Sequence, residues 1–339
     1  MTAFTFDGTE NRMRWDRRAE RFMEVWYATL NHESSGSGLW LRYTITAPTA
    51  SSGRPAGCAL WAFHFDPDRK RSFAGRADYP IDRLGSANGR DDGALVRIGD
   101  AWLSENHLEG EVPIGGRSLA WSLDFEPADR CYQHLPPMLR QWVARRFSTV
   151  CSPNLAVPFT GTVELDGETM GYEAEPGAQS HRWGQRNSHS WAWAHCSPWE
   201  GGDDAVFEGV VARAAARAPS LAFLYLRYAG EDFVFNGMRP ALRAKSRFEF
   251  PTWAFSSHDG RWKIAGASRA RVDDTVQVRY EDPDGSYRHC ANSEIADMAI
   301  EVYRRAGGAW RHDGSLTAMQ TADLEFGRRA PFAELPVAF

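Results

Sequence analysis

The stretch His189-Ser-Trp-Ala-Trp-Ala-His-Cys196 alternates large and small side chains with a period of two. On an extended strand His189, Trp191, Trp193 and His195 share one face, and Ser190, Ala192, Ala194 and Cys196 share the other. Such a strand lines a cavity or packs a core: the bulky face offers rings and imidazoles, and the small face leaves room. The same alternation recurs outward from it, at residues 39–45, 59–65, 119–125, 221–228, 247–255, 270–280, 299–304 and 316–326. Tight-turn pairs punctuate these runs: Asp166-Gly167, Asp259-Gly260, Pro283-Asp284-Gly285, Gly307-Gly308 and Asp313-Gly314. Many short strands joined by tight turns predict an all-β, antiparallel barrel or sandwich, not an alternating βαβ fold.

One helix is expected near residues 137–147. Pro136-Pro137 opens it, and Met138, Leu139, Trp142, Val143 and Phe147 follow at helical spacing, with Arg140, Arg145 and Arg146 largely opposite. Residues 16–30 fit a helix and a strand equally well. Residues 48–57 and 83–93 read as surface loops, and Gly36, Gly38 and Gly115-Gly116 as hairpin glycines. Ser, Pro and Asn concentrate at 148–160, which places the expected domain change there. The chain then divides into residues 1–155 and 156–339, each rich in strands.

Length and composition narrow the function. The 339 residues carry 39 Lys+Arg against 44 Asp+Glu, a formal net charge of −5 with no electrostatic footprint for nucleic acid. The basic clusters at 12–21 and 140–146 are interrupted by acidic or apolar residues and read as solvated faces. No apolar run approaches the roughly 18 residues that a membrane helix needs, and the N-terminal stretch has no secretory-signal pattern. A cytoplasmic protein is expected, with contact at a membrane surface left open. The five cysteines, 58, 131, 151, 196 and 290, form no CxxC, which fits reduced thiols. Fourteen Trp, 10 Tyr and 19 Phe suit a β-rich chain that encloses a large apolar ligand.

Metal and nucleotide chemistry find no motif. His189 and His195 sit six residues apart, so their Cα atoms lie about 20 Å apart along a strand. Zn–N bonds of roughly 2 Å do not bridge that span, so no metal site and no cofactor are expected. There is no GxSxG, Walker or Rossmann glycine motif. Chemistry must then come from side chains alone. A carboxylic acid walled by aromatic rings has its pKa raised and can deliver a proton, and Glu24, Glu173, Glu175 and Glu208 lie near aromatic segments.

The run Glu24-Val-Trp-Tyr-Ala-Thr-Leu-Asn-His32, followed by Ser35-Gly-Ser-Gly-Leu-Trp-Leu-Arg-Tyr43, resembles the opening of the calycin-like superfamily of carotenoid hydratases (hydroxyneurosporene synthase) and tocopherol cyclases. That superfamily also holds lipocalin-like Diels–Alderases. His181-Arg-Trp-Gly184 and Trp191-Ala-Trp193 resemble its second signature. Tocopherol cyclases carry a Phe-Pro pair between those two elements, where this chain reads Gln185-Arg-Asn-Ser-His189. The resemblance implies two tandem lipocalin-like β-barrels with a hydrophobic ligand in a barrel or at their junction, and no cofactor. By position it implies ligand contacts from Trp26, Tyr27, Trp40, Arg42, Trp183, Trp191 and Trp193. The polar candidates are Glu24, His181 and His195.

The expected activity is protonation of an alkene in an isoprenoid, terpenoid or polyketide-like substrate, leading to hydration or cyclisation. Aromatic faces stabilise the developing cation by about 0.5–2 kcal/mol per ring. Two alternatives stand beside it: a carrier of a hydrophobic ligand without turnover, and a pericyclase that only folds a polyene. An acid inside the cavity separates enzyme from carrier.

Overall fold

The computed structural model describes residues 3–5, 7–68, 70–85, 93–201 and 204–339. Of the loop expected at 83–93, residues 86–92 lie outside the described residues. The architecture is nearly all β: two barrel-like antiparallel sheets, one nearly closed and one a half-barrel. The expected tandem of lipocalin-like barrels is what the chain forms.

The two sheets repeat one topology without repeating a sequence. In the first, Phe22–His32, Ser37–Ala47, Gly57–Phe65 and Phe73–Pro80 form a meander. The long hairpin Ser148–Leu165/Glu168–Gly184 then returns beside the first strand, with Gly177–Gly184 antiparallel to Met23–Leu30. In the second, Ser190–Cys196, Val206–Arg213, Leu221–Tyr228 and Glu231–Phe235 form the meander. The long hairpin Tyr287–Ala306/Ala309–Arg328 closes on Ser190–Cys196 in the same way. The first signature thus forms the first two strands of the first meander, and the second is split: His181–Gly184 ends the first sheet's closing hairpin and Trp191–Trp193 lies on the strand that opens the second meander.

Alternation along those strands sorts side chains into three layers. Trp26, Ala28, Leu30, Leu39, Leu41 and Tyr43 point into the first sheet's interior with Leu119, Trp121, Leu123 and Phe159. Ala192, Ala194 and Cys196 point into the second interior, where Phe207, Trp253 and Phe255 take the space that the small residues leave. The opposite faces meet between the sheets: Trp40, Trp61 and Phe63 from one, Trp191, Trp193, Tyr280 and Ile295 from the other. Gly38 is needed at this seam, because a Cβ there would stand 2.7 Å from Cβ of Glu294 and from its carbonyl. It marks a close approach of the sheets; Gly36, with φ 67°, is the hairpin glycine.

Several expectations need correction. The domain change expected at 155/156 falls inside the Ser148–Leu165 strand, and the chain passes between sheets at residues 185–189. Ser152, Pro153 and Asn154 mark bulges in that strand, where the register shifts between Cys151, Asn154 and Val157. Asp313-Gly314 likewise sits at a register shift inside Ala309–Arg328 instead of a turn. Residues 247–255 form a hairpin, Lys245–Glu249 with Thr252–His258, not a single strand. Residues 270–280 are broken by a 3-10 turn at Val272–Asp274 before Val276–Glu281. The ambiguous segment 16–30 enters the strand Phe22–His32, whose two faces are both covered, so the polar alternation that signals a strand is weak. The expected helix is Pro137–Ala144, three residues shorter at its end, and the short helix Met238–Arg243 was not expected.

Candidate active site between the sheets

Both interiors are packed with side chains, and open space lies where the outer faces of the sheets meet. A cavity of about 450 Å³ sits there beneath the Pro137–Ala144 helix. Tyr27, Trp40 and Arg42 line it from the first sheet, and Trp191, Trp193 and Phe223 from the second. Leu139, Trp142 and Val143 roof it. No residue of that helix is buried, and Trp142 stays 51% exposed, because the apolar stripe faces the cavity instead of a packed core. The opening strands cross face to face here, with the Tyr27 ring edge-on to Trp193 at 5.8 Å between centroids.

Three ionisable groups stand at one wall. Glu208 is paired across the strands with His195, and His195 Nδ1 donates to Glu208 Oε2 at 3.0 Å. Two further donors, His134 Nε2 and Trp193 Nε1, reach Glu208 Oε1 at 2.6 Å each. All three ionisable groups are buried, and His134 is part of the cavity wall. Burial pushes Glu208 up, but the hydrogen bonds and charges of His134 and His195 outweigh it and hold the carboxyl at about 2. Burial opposes charge on His195 as well; the Glu208 contact outweighs it and raises the imidazole above its ordinary value. Glu208 is therefore a fixed anion between two imidazoles, not the protonated acid that burial alone would make. His134 Nδ1 and His195 Nε2 have no hydrogen-bond partner among the described residues.

A second polar group faces the same space. Glu325 Oε1 accepts from Trp191 Nε1 at 2.6 Å, and its Oε2 accepts from the Tyr280 hydroxyl at 2.8 Å. Arg182 also lines the cavity, donating from Nε and Nη2 to Ser148 Oγ at 2.9 and 2.7 Å. Tyr27 is pushed well above its ordinary value by burial and by the Glu208 charge, so its phenol stays protonated.

The structure divides the residues singled out in the sequence. Tyr27, Trp40, Arg42, Trp191 and Trp193 meet at the cavity, and His195 stands behind Glu208. Glu24, Trp26, His181 and Trp183 do not line it, because a one-residue step along a strand carries a side chain to the opposite face. Val25, Tyr27 and Arg182 face the cavity, while Glu24, Trp26 and His181 lie on the other side. There His181 Nε2 meets Glu24 Oε1 at 2.9 Å, and its Nδ1 donates to the Glu10 carbonyl at 2.7 Å. The backbone N–H groups of Arg14 and Trp15 fill the Glu24 carboxylate at 2.6 and 2.9 Å, and Trp26 stacks on the imidazole at 4.6 Å. This pair fastens the segment of residues 10–15 to the first sheet.

Glu173 is exposed, and Glu175 sits 3.7 Å from His32, away from the cavity. His134, Arg182, Tyr280 and Glu325 were not singled out. Arg182 lies inside the second signature beside His181, whereas no local signal marks Tyr280 and Glu325, which come from late strands distant in sequence from both signatures. Among the described residues no group of three or more His, Cys, Asp or Glu could hold a metal ion, and all five cysteines are free and buried. No helix is long and apolar enough to cross a membrane.

Known proteins share this layout. An uncharacterised protein of Mycobacterium tuberculosis is 28% identical over 327 residues, 94% of this chain and 90% of that one. The crystal structure of an AttH-like protein from Nitrosomonas europaea superposes with a TM-score of 0.52 at 13% identity, covering 96% of this chain and 99% of that one. Kievitone hydratase from Nectria haematococca gives 0.50 at 8% identity, over 97% and 94%. At such identities these two likenesses establish the fold alone. Residues 155–328, which hold the closing hairpin of the first sheet and nearly all of the second, match the family described as tocopherol cyclase-like, and the chain belongs to that family.

Proposed function

We propose that the protein is a cofactor-independent enzyme that protonates an alkene of a hydrophobic, unsaturated substrate held between the sheets. The observation that carries this reading is the His134–Glu208–His195 set, a buried anion between two imidazoles, of which His134 lines an aromatic cavity. His134 is the acid. Its Nε2 is held by Glu208, which leaves Nδ1 as the nitrogen without a partner. The proton passes from His134 to one alkene carbon, the π pair becomes the new C–H bond, and a cation forms on the neighbouring carbon. The Glu208 carboxylate positions His134 by its hydrogen bond to Nε2, and His195 holds the far side of that carboxylate.

The rings of Trp40, Trp142, Trp191 and Trp193 line the space in which the cation forms, each worth about 0.5–2 kcal/mol to it. Addition of water gives a hydrated product, and attack by a second group of the same substrate closes a ring. Either way a proton returns to the His134 set and completes the cycle. Membership of a tocopherol cyclase-like family supports a cyclising or hydrating chemistry.

Native mass spectrometry tests the reading. Wild type and Glu208→Gln, purified from the same cells, are compared for the small molecules they carry. Glu208→Gln retains the unreacted alkene, whereas wild type carries or releases a product heavier by one water, or an isomer of the same mass. Identical ligands on both proteins, with no product in solution, identify a carrier and contradict the proposal.

A further inference from the structure

Arg42 is only 3% exposed, yet among the described residues it has no carboxylate in ion-pair contact. It lies on the Ser37–Ala47 strand, opposite Tyr27 on one neighbouring strand and Trp61 on the other. Its Nε donates to Thr44 Oγ1 at 3.0 Å. Rings cover the guanidinium: Tyr280 at 4.4 Å, Trp61 at 4.8 Å and Trp40 at 5.6 Å from its central carbon. Ring contacts compensate charge over the faces of the plane, but a guanidinium makes its strong hydrogen bonds in the plane, along its edge. The Nη groups on that edge find no acceptor among the described residues. The nearest acid of the cavity, Glu325, is already taken by Trp191 and Tyr280.

The surroundings point the same way. Arg42 and Tyr280 belong both to the cavity of about 450 Å³ and to a second one of about 370 Å³, so Arg42 stands at the junction of two open spaces. The first cavity holds two guanidiniums, Arg42 and Arg182, against the single carboxylate of Glu325. Arg182 is occupied by Ser148 and Asn187, whereas Arg42 has an oxygen partner at Nε alone, in Thr44, and none at its Nη groups. A buried guanidinium with a free edge is a ready receptor for a planar anionic oxygen pair.

Building on the reading of this cavity as a ligand site, we infer that its substrate is an amphiphile with a carboxylate head. The head pairs end-on with the two Arg42 Nη groups, and the unsaturated chain runs along Trp191 and Trp193 under the Pro137–Ala144 helix. This orientation fixes which double bond comes to rest at His134. Binding of an acid would thus depend on Arg42, whereas binding of an uncharged ester of the same chain would depend on the aromatic walls alone.

The test is a fluorescence titration with cis-parinaric acid, a conjugated polyene fatty acid, and with its methyl ester. Wild type should bind the acid about tenfold or more tighter than the ester, the usual advantage of a charge-assisted pair. In Arg42→Gln that preference should fall to about threefold or less, with ester binding and near-UV circular dichroism reporting an intact cavity. Equal binding of acid and ester by wild type overturns the carboxylate assignment while leaving the hydrophobic site standing. A preference that survives in Arg42→Gln overturns the role of Arg42. Binding of neither probe overturns the site itself. The wild-type ratio needs no variant, so a poorly folding Arg42→Gln leaves the inference open to refutation.

Discussion

Two buried glutamate–histidine sets, Glu24 with His181 and Glu208 with His134 and His195, differ in what is left unsatisfied. In the first sheet, both ring nitrogens of His181 and both oxygens of Glu24 are engaged, partly by backbone of residues 10–15. Between the sheets, Glu208 is saturated by three donors, but its imidazoles each keep one nitrogen without a partner. A closed set holds structure together. An open set beside a cavity has capacity left for a ligand or a proton. Proximity to tryptophans does not separate the two, since both have them; the strand face does.

The comparison breaks most visibly in turnover. Glu208→Gln, or His134→Gln, should lower the rate by about 10²–10⁴-fold with ligand still bound. Glu24→Gln should leave turnover of the folded fraction within about threefold of wild type, since Glu24 lies outside the cavity. A loss in Glu24→Gln as large as in Glu208→Gln would move the chemistry into the first sheet. Stability reverses the emphasis. His181→Ala strands Glu24 and should cost about 3–5 kcal/mol in urea unfolding, the cost of breaking a buried pair.

Acid separates the sets next. The Glu208 carboxyl is held at about 2 against an ordinary value of 4.5. A lowered value stabilises the fold above the ordinary value, and that contribution is lost as pH falls from 4.5 toward 2. It amounts to about 3 kcal/mol at most. For His195, raised from 6.5, the contribution is present below 6.5 and lost as pH rises through the folded value. Urea midpoints measured across this pH range should show both limbs in wild type, and Glu208→Gln should flatten them.

The smallest effects belong to the walls. Trp193→Ala removes a ring and the donor to Glu208, and should weaken ligand binding by roughly 2–3 kcal/mol. Trp142→Ala, on the exposed roof, should weaken it by about 1 kcal/mol or less. Isothermal titration with one ligand ranks the two, and a reversed order would mean that the ligand lies against the helix more than against the second sheet.

Much of this was legible in the sequence, and the limits are physical. The alternation of His189–Cys196 correctly assigned its bulky and small faces, but which face meets open space depends on what fills each interior. Here Phe207, Trp253 and Phe255 occupy the second interior, so the bulky face turns to the junction. Glu24 lies away from the cavity for a related reason: with both faces of Phe22–His32 covered, nothing local tells Trp26 from Tyr27. His134 reaches Glu208 across 74 positions in sequence, and no spacing rule encodes that contact. The breaker residues Ser152, Pro153 and Asn154 suggested a linker, yet a long strand absorbs them as bulges without leaving its sheet.

A crystal structure of the protein with cis-parinaric acid bound tests the central claim most directly. The account predicts ligand density between the sheets beneath the Pro137–Ala144 helix, against Trp191 and Trp193 and close to His134. Density inside either sheet's interior, with the space between them empty, would contradict it.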